Sequence, residues 1–389
     1  MTSPIPGWFA WPALVAVIAI TGGRWWLLND KVVDRLINRA MLAGISGLLL
    51  REAWFEHLLT QIVWFASDTD VLQLCRQLSF GSILLSVSYV YGIAKLWEGA
   101  DPTGTWRRQR VYDLVAVAAT VVILVAGTPA RRDDLLIDQA MGWPAVIAWT
   151  AFYAPIGAMA WVIARVGIRE LRSGDTTWLE RALYVGVVIY ALALGLDSVA
   201  TPILTALEVI GDRPAQDPEM SRKGWIFFLS NVTAGAAVAV PLVSTILTRT
   251  GWDRTGRYCR RLQPVWRDLT ASVPEIVLDP LDDRREIAPA TRLHRMIIEI
   301  RDSLLHLRRY SPEPDIDPVA PGGVLPYAVS IARAIDAKQA GRTPRPASTT
   351  PHTVRLAARD LTADLQQLLD LARVWPRARR IAAGEVTRQ

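Results

Sequence analysis

Cysteine and histidine are scarce in this chain, whose 389 residues include two Cys and four His. Cys75 and Cys259 are far apart and offer neither a disulfide framework nor a cluster of metal ligands. The segment 52–57 contains one Glu–His pair, and a single pair without further ligands is a weak metal signal. The sequence therefore predicts no metal site and no bound cofactor.

The short motifs of common enzymes are also missing. The chain has no G-x-x-x-x-G-K-[ST] loop to hold phosphates, which argues against ATP-driven transport within this chain. It has no G-x-S-x-G, H-E-x-x-H or C-x-x-C pattern either. We therefore expect that the protein is not an enzyme.

Apolar residues are abundant: they make up 51% of the chain, the mean hydropathy is +0.22, and there are 16 Trp. A soluble protein of this length would rarely be so apolar. Stretches long enough to cross a bilayer as helices lie at 8–23, 37–54, 71–97, 111–127, 143–166, 178–204 and 225–247. The predicted fold class is all-α, with a seven-transmembrane-helix bundle followed by a small cytoplasmic helical module. The second stretch is the weakest, and residues 62–66 leave open a short interfacial helix instead.

Basic residues are distributed unequally between the predicted loops. One set of loops carries twelve Lys and Arg and the other set six, and the Arg-rich C-terminal part continues the first set. Because cytoplasmic loops are enriched in Lys and Arg, we predict a multi-pass protein of the cell membrane with its N-terminus outside and its C-terminus in the cytoplasm. Trp residues near most span ends agree with this layout, although Trp also simply fills contacts between helices.

The chain changes character near residue 250, which predicts two domains, 1–250 and 251–389. The first contains 20 basic and 20 acidic residues, and the second contains 23 and 17, so the net charge of +6 lies in the second. Apolar residues in the second domain recur with helical periodicity in four stripes, which Pro-rich linkers at 311–326 and 341–351 separate. The final segment, 377–389, has no evident apolar face and is predicted to fray.

Polar residues inside predicted spans are candidates for function, because burying a charge in a membrane is costly. Arg76, Asp197 and Asn231 lie at a similar depth in three spans, and Ser79 and Ser82 follow Arg76 on one helix face. These five residues predict a polar cavity for a small-molecule ligand or a transported solute. The alternative is a structural Arg76–Asp197 pair that only fixes the register of two helices.

Arginines also follow the last span closely: Arg254, Arg257, Arg260 and Arg261. Their position directly after a membrane helix makes lipid headgroups the nearest anionic partner, or else a cytoplasmic protein that binds residues 251–389. The same tethering disfavours nucleic acid as a partner.

Two segments of the second domain resemble a known family. They are YCRRLQPVWRDLTASVPEIVLDP at 258–280 and RLHRMIIEIRDSLLHLRRY at 292–310, with the phrases L-x-P-x-W-x-x-L, V-P-E-I and R-x-x-x-E-I-R-D. In these segments and in its layout the chain resembles an actinobacterial family of multi-span membrane proteins that have a C-terminal domain of unknown function. That family is commonly labelled as transporters. The resemblance implies a cytoplasmic-membrane location and brings no catalytic residues.

Two main hypotheses of function follow from the sequence. The first is a transporter of an unknown small solute, which would pass near the five polar residues of the spans. The second is a seven-helix sensor or receptor that signals through its cytoplasmic domain to a protein partner. A third possibility is a passive membrane anchor for such a partner. The odd number of spans, the missing internal repeat and the large C-terminal domain favour the sensor, whereas the family label and the intramembrane charges favour the transporter.

Overall fold

Helices account for all regular structure in the computed structural model, over the residues that it describes. These are 6–62, 68–133, 135, 137, 142–173, 177–211, 218–277, 289–311, 316–318, 320–345 and 361–384. The helices are α1 Gly7–Leu27, α2 Val32–Leu49, α3 Ala53–Ile62, α4 Asp68–Trp97, α5 Thr105–Ala126, α6 Thr128–Arg132, α7 Trp143–Arg172, α8 Trp178–Ile210, α9 Pro218–Arg249, α10 Arg254–Ser272, α11 Pro289–Leu307, α12 Val324–Gln339 and α13 Leu361–Ala382. The predicted all-α class is confirmed for this part of the chain.

Six of the described helices are long and apolar enough to cross a membrane, which supports a membrane protein in contact with lipid. They are α1, α4, α5, α7, α8 and α9. The predicted count of seven is not confirmed, because α2 does not join this set. Its first half contains Asp34, Arg35 and Arg39, so the apolar part of this 18-residue helix is short. The seventh span therefore stays a prediction.

The chain divides into two units, Met1–Leu242 and Val243–Gln389, and α9 crosses the division. In the first unit, α4 is the central helix and packs against α2, α5 and α7. Phe80 and Leu84 of α4 meet Ile123 of α5 and Trp149 of α7 in one apolar cluster. A second cluster joins α1, α2 and α9 and includes Phe228 of α9.

Helix α8 lies along α7 and turns much of its apolar surface outward. Leu183, Leu196 and Ile210 are exposed although they are strongly apolar, as expected for a helix that faces lipid. Small residues allow the close packing of the pair: a Cβ on Gly167 would lie 2.6 Å from Val188 Cγ2 of α8. Such close approach at small residues is typical of helix pairs in membranes.

In the described residues of the second unit, four helices, α10 to α13, pack around one apolar core. Leu262, Ile300 and Ile331 represent the first three predicted stripes, and each is buried. The first residues of the fourth stripe lie before 361, outside the described residues, and its later members pack against the same core.

The prediction that residues 377–389 fray is wrong for its first part, because α13 continues to Ala382. Trp375 is 1% exposed and Ala378 is completely buried. Leu371, Trp375, Ala378 and Ala382 recur at spacings of three and four and continue the apolar face. Two of the four are alanines, whose weak hydrophobicity concealed the period in the sequence.

Candidate functional site

Three of the predicted site residues lie on α4, where Arg76 and Ser79 are buried and Ser82 is half-buried. The Ser79 hydroxyl donates to the carbonyl of Arg76 at 2.6 Å and accepts from Nε of Arg51 at 2.9 Å. The cation that contacts Ser79 through its side chain is therefore Arg51, from the turn after α2. Ser82 lies near Gly47 of α2, where an added Cβ would be 3.4 Å from Ser82 Cβ.

Arg51 is one of the six basic residues of the second set of predicted loops, and its place in the bundle was not predicted. Its guanidinium carbon lies 5.0 Å from the ring centroid of Phe80 in α4 and 5.2 Å from that of Phe227 in α9. A cation over aromatic faces is stabilised by their quadrupoles. Arg51 thus connects α4 with α9, and only the fold brings these residues together.

Asn231 of α9 faces α2. Its amide nitrogen donates to the carbonyl of Phe227 at 2.9 Å, and its Oδ1 occupies the space where a side chain at Gly44 would lie. Ser86 of α4 reaches the same part of α2 and donates to the carbonyl of Ala40 at 2.9 Å. Asn231 therefore lies near the polar side of α4, with Gly44 allowing the close approach.

Asp197 of α8 is half-buried and accepts a hydrogen bond from the Thr201 hydroxyl at 3.4 Å. Among the described residues, no salt bridge joins Asp197 to Arg76. Of the five predicted residues, three lie on α4, one lies on α9, and Asp197 lies on α8, which packs along α7 and also reaches α9, where the Tyr190 and Ser230 hydroxyls are 3.0 Å apart.

A polar group that the sequence did not single out joins α4 to the end of α5. Arg131 of α6 donates to the carbonyl of Leu124 at 3.0 Å and to the Thr128 hydroxyl at 2.8 Å, and its guanidinium also contacts the Gln77 amide oxygen. Gln77 is 1% exposed. One signal in the sequence could have indicated this group, because Gln73, Arg76 and Gln77 form a polar run within an apolar helix.

Among the charged side chains of the first unit that the structure describes, Arg24 near the end of α1 is the most deeply buried, at 1% exposed. Its guanidinium donates to Asp34 Oδ1 at 3.1 Å, to Asn38 Oδ1 at 3.2 Å and to the backbone carbonyl of Val238 at 2.9 Å. Asn38 is completely buried and also donates to the carbonyl of Leu28. This Arg24 cluster holds α1, α2 and α9 together three residues before Pro241, where the ring of Pro removes a helix hydrogen bond.

The turn between α9 and α10, which we call the α9–α10 joint, is short and well bonded. The amide nitrogens of Trp252 and Asp253 both donate to the carbonyl of Leu247, at 2.8 and 3.1 Å. Asp253 then caps α10 by accepting from the amide of Gly256 at 2.8 Å. A Cβ on Gly256 would lie 2.6 Å from Gly251 Cα, and Gly251 has φ of +67°, so both glycines are required by the close backbone contact.

Four juxtamembrane arginines of the sequence prediction lie on α10, and all are exposed: Arg254, Arg257, Arg260 and Arg261. Two of them make contacts within their own segment. Arg254 donates to the Tyr258 hydroxyl at 2.7 Å, and Arg260 donates to the carbonyl of Gly251. No salt bridge joins any of the four to another described residue.

The phrases that carry the family resemblance form the interior of the second unit. The indole nitrogen of Trp266 donates to Glu299 Oε2 at 2.6 Å, and Nε of Arg295 donates to Glu299 Oε1 at 2.8 Å. Glu299 is 1% exposed, and a buried carboxylate needs such partners. Trp266, Arg295 and Glu299 therefore connect α10 to α11 and have a structural role.

No group of three or more metal-ligating side chains occurs among the described residues. Both cysteines are buried as free thiols. One apolar cavity, lined by Phe80, Ile123 and Trp149 among others, has a volume of about 10 Å³, roughly that of one water molecule. It offers no space for an organic solute.

The comparisons with known proteins give one match. Residues 251–378 match a family of unknown function (DUF6545). This confirms the predicted C-terminal domain of unknown function, and it carries no name that bears on the transporter label. No curated protein matches the chain. No solved structure matches it either.

Proposed function

We propose that the protein is a membrane sensor in which the helical bundle controls the C-terminal domain through α9. The α9–α10 joint is the observation that carries the proposal. A flexible linker would absorb a movement of α9, because a Gly- or Ser-rich chain has no fixed end-to-end distance. In the joint, the carbonyl of Leu247 binds two amides and Gly256 packs against Gly251, so α10 has to follow the end of α9.

The Arg24 cluster supports the same proposal from the membrane side. It fixes the carbonyl of Val238 in α9 to α1 and α2. A ligand that separated α1 from α9 would break these hydrogen bonds, and α9 is one continuous helix from Pro218 to Arg249. Helix α9 is thus held by directional contacts at two points, Val238 within the bundle and Leu247 near its C-terminal end, as a helix that transmits a shift requires.

A transporter of a small solute is the second candidate, and the polar side of α4 favours it. Gln73, Arg76, Gln77 and Ser79 are all buried within one stretch of this helix. Intramembrane polar residues often line solute paths. In this alternative, solute passes Arg76, Ser79, Ser82 and Asn231, with Asp197 on the neighbouring α8.

Both candidates assume the same placement in the cell membrane, with the N-terminus outside and residues 251–389 in the cytoplasm, where they would bind a protein partner. Neither candidate includes a catalytic step. Arg373 is suited to test the placement, because its side chain is 78% exposed. In the Arg373→Cys variant, the new thiol should react with a membrane-impermeant maleimide only after the cells are opened. Labelling of intact cells would contradict the orientation.

The two functions separate in one experiment on the full chain in proteoliposomes. A panel of amino acids, sugars, nucleosides and inorganic ions is screened for thermal stabilisation and for accumulation in the vesicles. Hydrogen exchange of α10 is measured with each stabilising solute. A sensor should change the exchange of α10 without accumulating solute, whereas a carrier should accumulate it.

A matched variant with a flexible Gly–Ser insertion between Thr250 and Gly251 provides the control. If the protein is a sensor, the solute should still stabilise the bundle, and the response in α10 should disappear. If no compound in the panel stabilises the protein, the Arg24→Met variant is used to perturb the bundle instead. It should alter exchange in α10 of the intact chain and not of the insertion variant. An equal response in both chains would refute transmission through the joint.

A further inference from the structure

The exposed side of α10 carries an unusual concentration of positive charge. Five of its arginines are exposed: Arg254, Arg257, Arg260, Arg261 and Arg267. On the opposite side, Leu262, Val265 and Leu269 are buried in the domain core. Because 100° separates successive residues of a helix, the five arginines share one half of its circumference. We call this surface the basic face of α10.

Acidic residues near the basic face are already engaged. Asp253 accepts from the amide of Gly256 as the cap of α10. Asp268 accepts from the indole of Trp375 at 2.8 Å and lies 3.7 Å from Arg379. Within the described residues, none of the five arginines forms a salt bridge. Within the part of the chain that the structure describes, the basic face therefore carries positive charge that no carboxylate pairs with.

The joint places the start of α10 beside the end of a candidate membrane helix. The amide nitrogen of Asp253 is 3.1 Å from the carbonyl of Leu247, so the cap of α10 is level with the last turns of α9. Trp252 is 71% exposed at the same point, and its amphipathic ring suits a membrane–water interface. The segment from Arg254 to Arg261 is about 11 Å long along the helix axis. This length is of the same order as the thickness of the headgroup layer next to the hydrocarbon, about 5–8 Å. The first arginines of α10 are therefore within reach of lipid headgroups.

We propose that the basic face of α10 binds the phosphate groups of anionic phospholipids in the bilayer that contains α9. Arginine donates in a fork that matches phosphate oxygens, which favours phosphate over other anions. A free phosphate compound has the same chemistry, but the tethering of α10 to α9 favours the lipid. This inference does not depend on the proposed function, since a sensor and a carrier would both have the site.

The test is a native mass-spectrometry titration of the full chain in detergent with phosphatidylglycerol and, separately, with phosphatidylcholine. The quantity measured is the ratio of the two affinities. Each basic residue near an anionic surface contributes about a fivefold preference. We therefore expect that replacing Arg254, Arg257 and Arg261 by Gln lowers the affinity ratio by about a hundredfold.

A charge-matched triple variant on α13 provides the control. Arg373, Arg377 and Arg380 are exposed in the same domain, and their replacement by Gln changes the net charge equally. The control should keep the lipid preference of the wild type. An equal loss in both triple variants, or no preference in the wild type, would overturn the proposal.

Replacement of Arg254, Arg257 and Arg261 by Lys tests whether the charge itself is needed. The Lys variant should retain most of the preference because it keeps three positive charges near the membrane. If it loses the preference as fully as the Gln variant, positive charge at these positions does not carry the preference and the proposal fails. Inorganic phosphate is added last as a competitor. Displacement of the lipid at an equal phosphate concentration would assign the site to a soluble phosphate compound instead.

Discussion

Arg24 offers the sharpest test of how the membrane unit is held together. Its side chain is 1% exposed and donates to a carboxylate, an amide oxygen and a backbone carbonyl, on two other helices. Arg24→Met retains most of the apolar volume and removes all three hydrogen bonds. The substitution leaves Asp34 without its cation and Val238 without this donor. Breaking a buried ion pair by removing one partner usually costs about 3–5 kcal/mol.

Two considerations decide how large the effect will be. The Asp34 side chain is 23% exposed, so water stabilises part of the charge that remains. In addition, hydrogen bonds between membrane helices average only about 0.6 kcal/mol each, which would give about 2 kcal/mol for three. We expect about 3 kcal/mol for Arg24→Met, because the unpaired carboxylate adds to the lost hydrogen bonds.

The assay is reversible unfolding of the full chain in mixed micelles, with the double variant Arg24→Met/Asp34→Asn as the matched control. The double variant has no unpaired charge, so it should recover about 1 kcal/mol or more relative to the sum of the single variants. A cost below about 1 kcal/mol for Arg24→Met, or strictly additive single variants, would refute the assignment of Arg24 as a buried, paired cation.

Three further predictions concern the second unit. Gly256→Ala should destabilise the start of α10 and increase the hydrogen exchange of its amides, because the new Cβ would collide with the backbone of Gly251. Trp375→Ala should lower the free energy of unfolding of the domain by about 3–5 kcal/mol, since the indole is 1% exposed and bonded to Asp268. Burial lowers the pKa of His306 below its usual value near 6.5. Its neutral form therefore stabilises the domain above pH 6.5, and this contribution is lost as the pH falls through the lowered pKa; His306→Gln should remove that part of the pH dependence.

Two of these predictions have a control variant, and the third has an outcome that would contradict it. Gly22→Ala introduces a Cβ with no atom within 4 Å, so it should leave stability nearly unchanged. Arg373→Ala lies two residues from Trp375 on the exposed side and should change the free energy of unfolding by less than about 0.5 kcal/mol. Equal effects of Trp375→Ala and Arg373→Ala would show that the end of α13 is not packed. For His306, the same slope of stability between pH 7 and pH 5 in both chains would contradict the assignment.

The helices of this protein follow readily from its sequence, because apolar composition over 20 residues and helical periodicity are local properties. The site contacts do not follow, since they depend on how helices are arranged around the bundle. Arg76 and Asp197 were placed together because they lie at equal depth. Depth gives a position along the membrane normal and leaves the position around the bundle undefined. Asp197 lies on α8 and bonds to Thr201, and within the described part of the chain no salt bridge joins it to Arg76.

Arg24 shows the same limit from the other side. It is one of the twelve basic residues from which the orientation is predicted, and a charge near the end of an apolar stretch is normally assigned to the loop. In the fold its partners lie 10, 14 and 214 residues away along the chain. Two of these partners, Asp34 and Asn38, are among the polar residues that make α2 less apolar than the other long helices of the first unit. The polar contact between α1 and α2 therefore uses residues that weaken the membrane signal of α2 in the sequence.

The residues that carry the family resemblance indicate where the function should be sought. Trp266, Arg295 and Glu299 belong to the recognised phrases, and they bond to one another inside the second unit. These side chains hold α10 and α11 together, so they account for the fold of the domain and identify no ligand. The match covers residues 251–378, so it begins after the last candidate membrane helix, α9. The transporter label therefore has no support from the matched residues, and the choice between carrier and sensor depends on the unmatched membrane helices and on the joint that connects them to this domain.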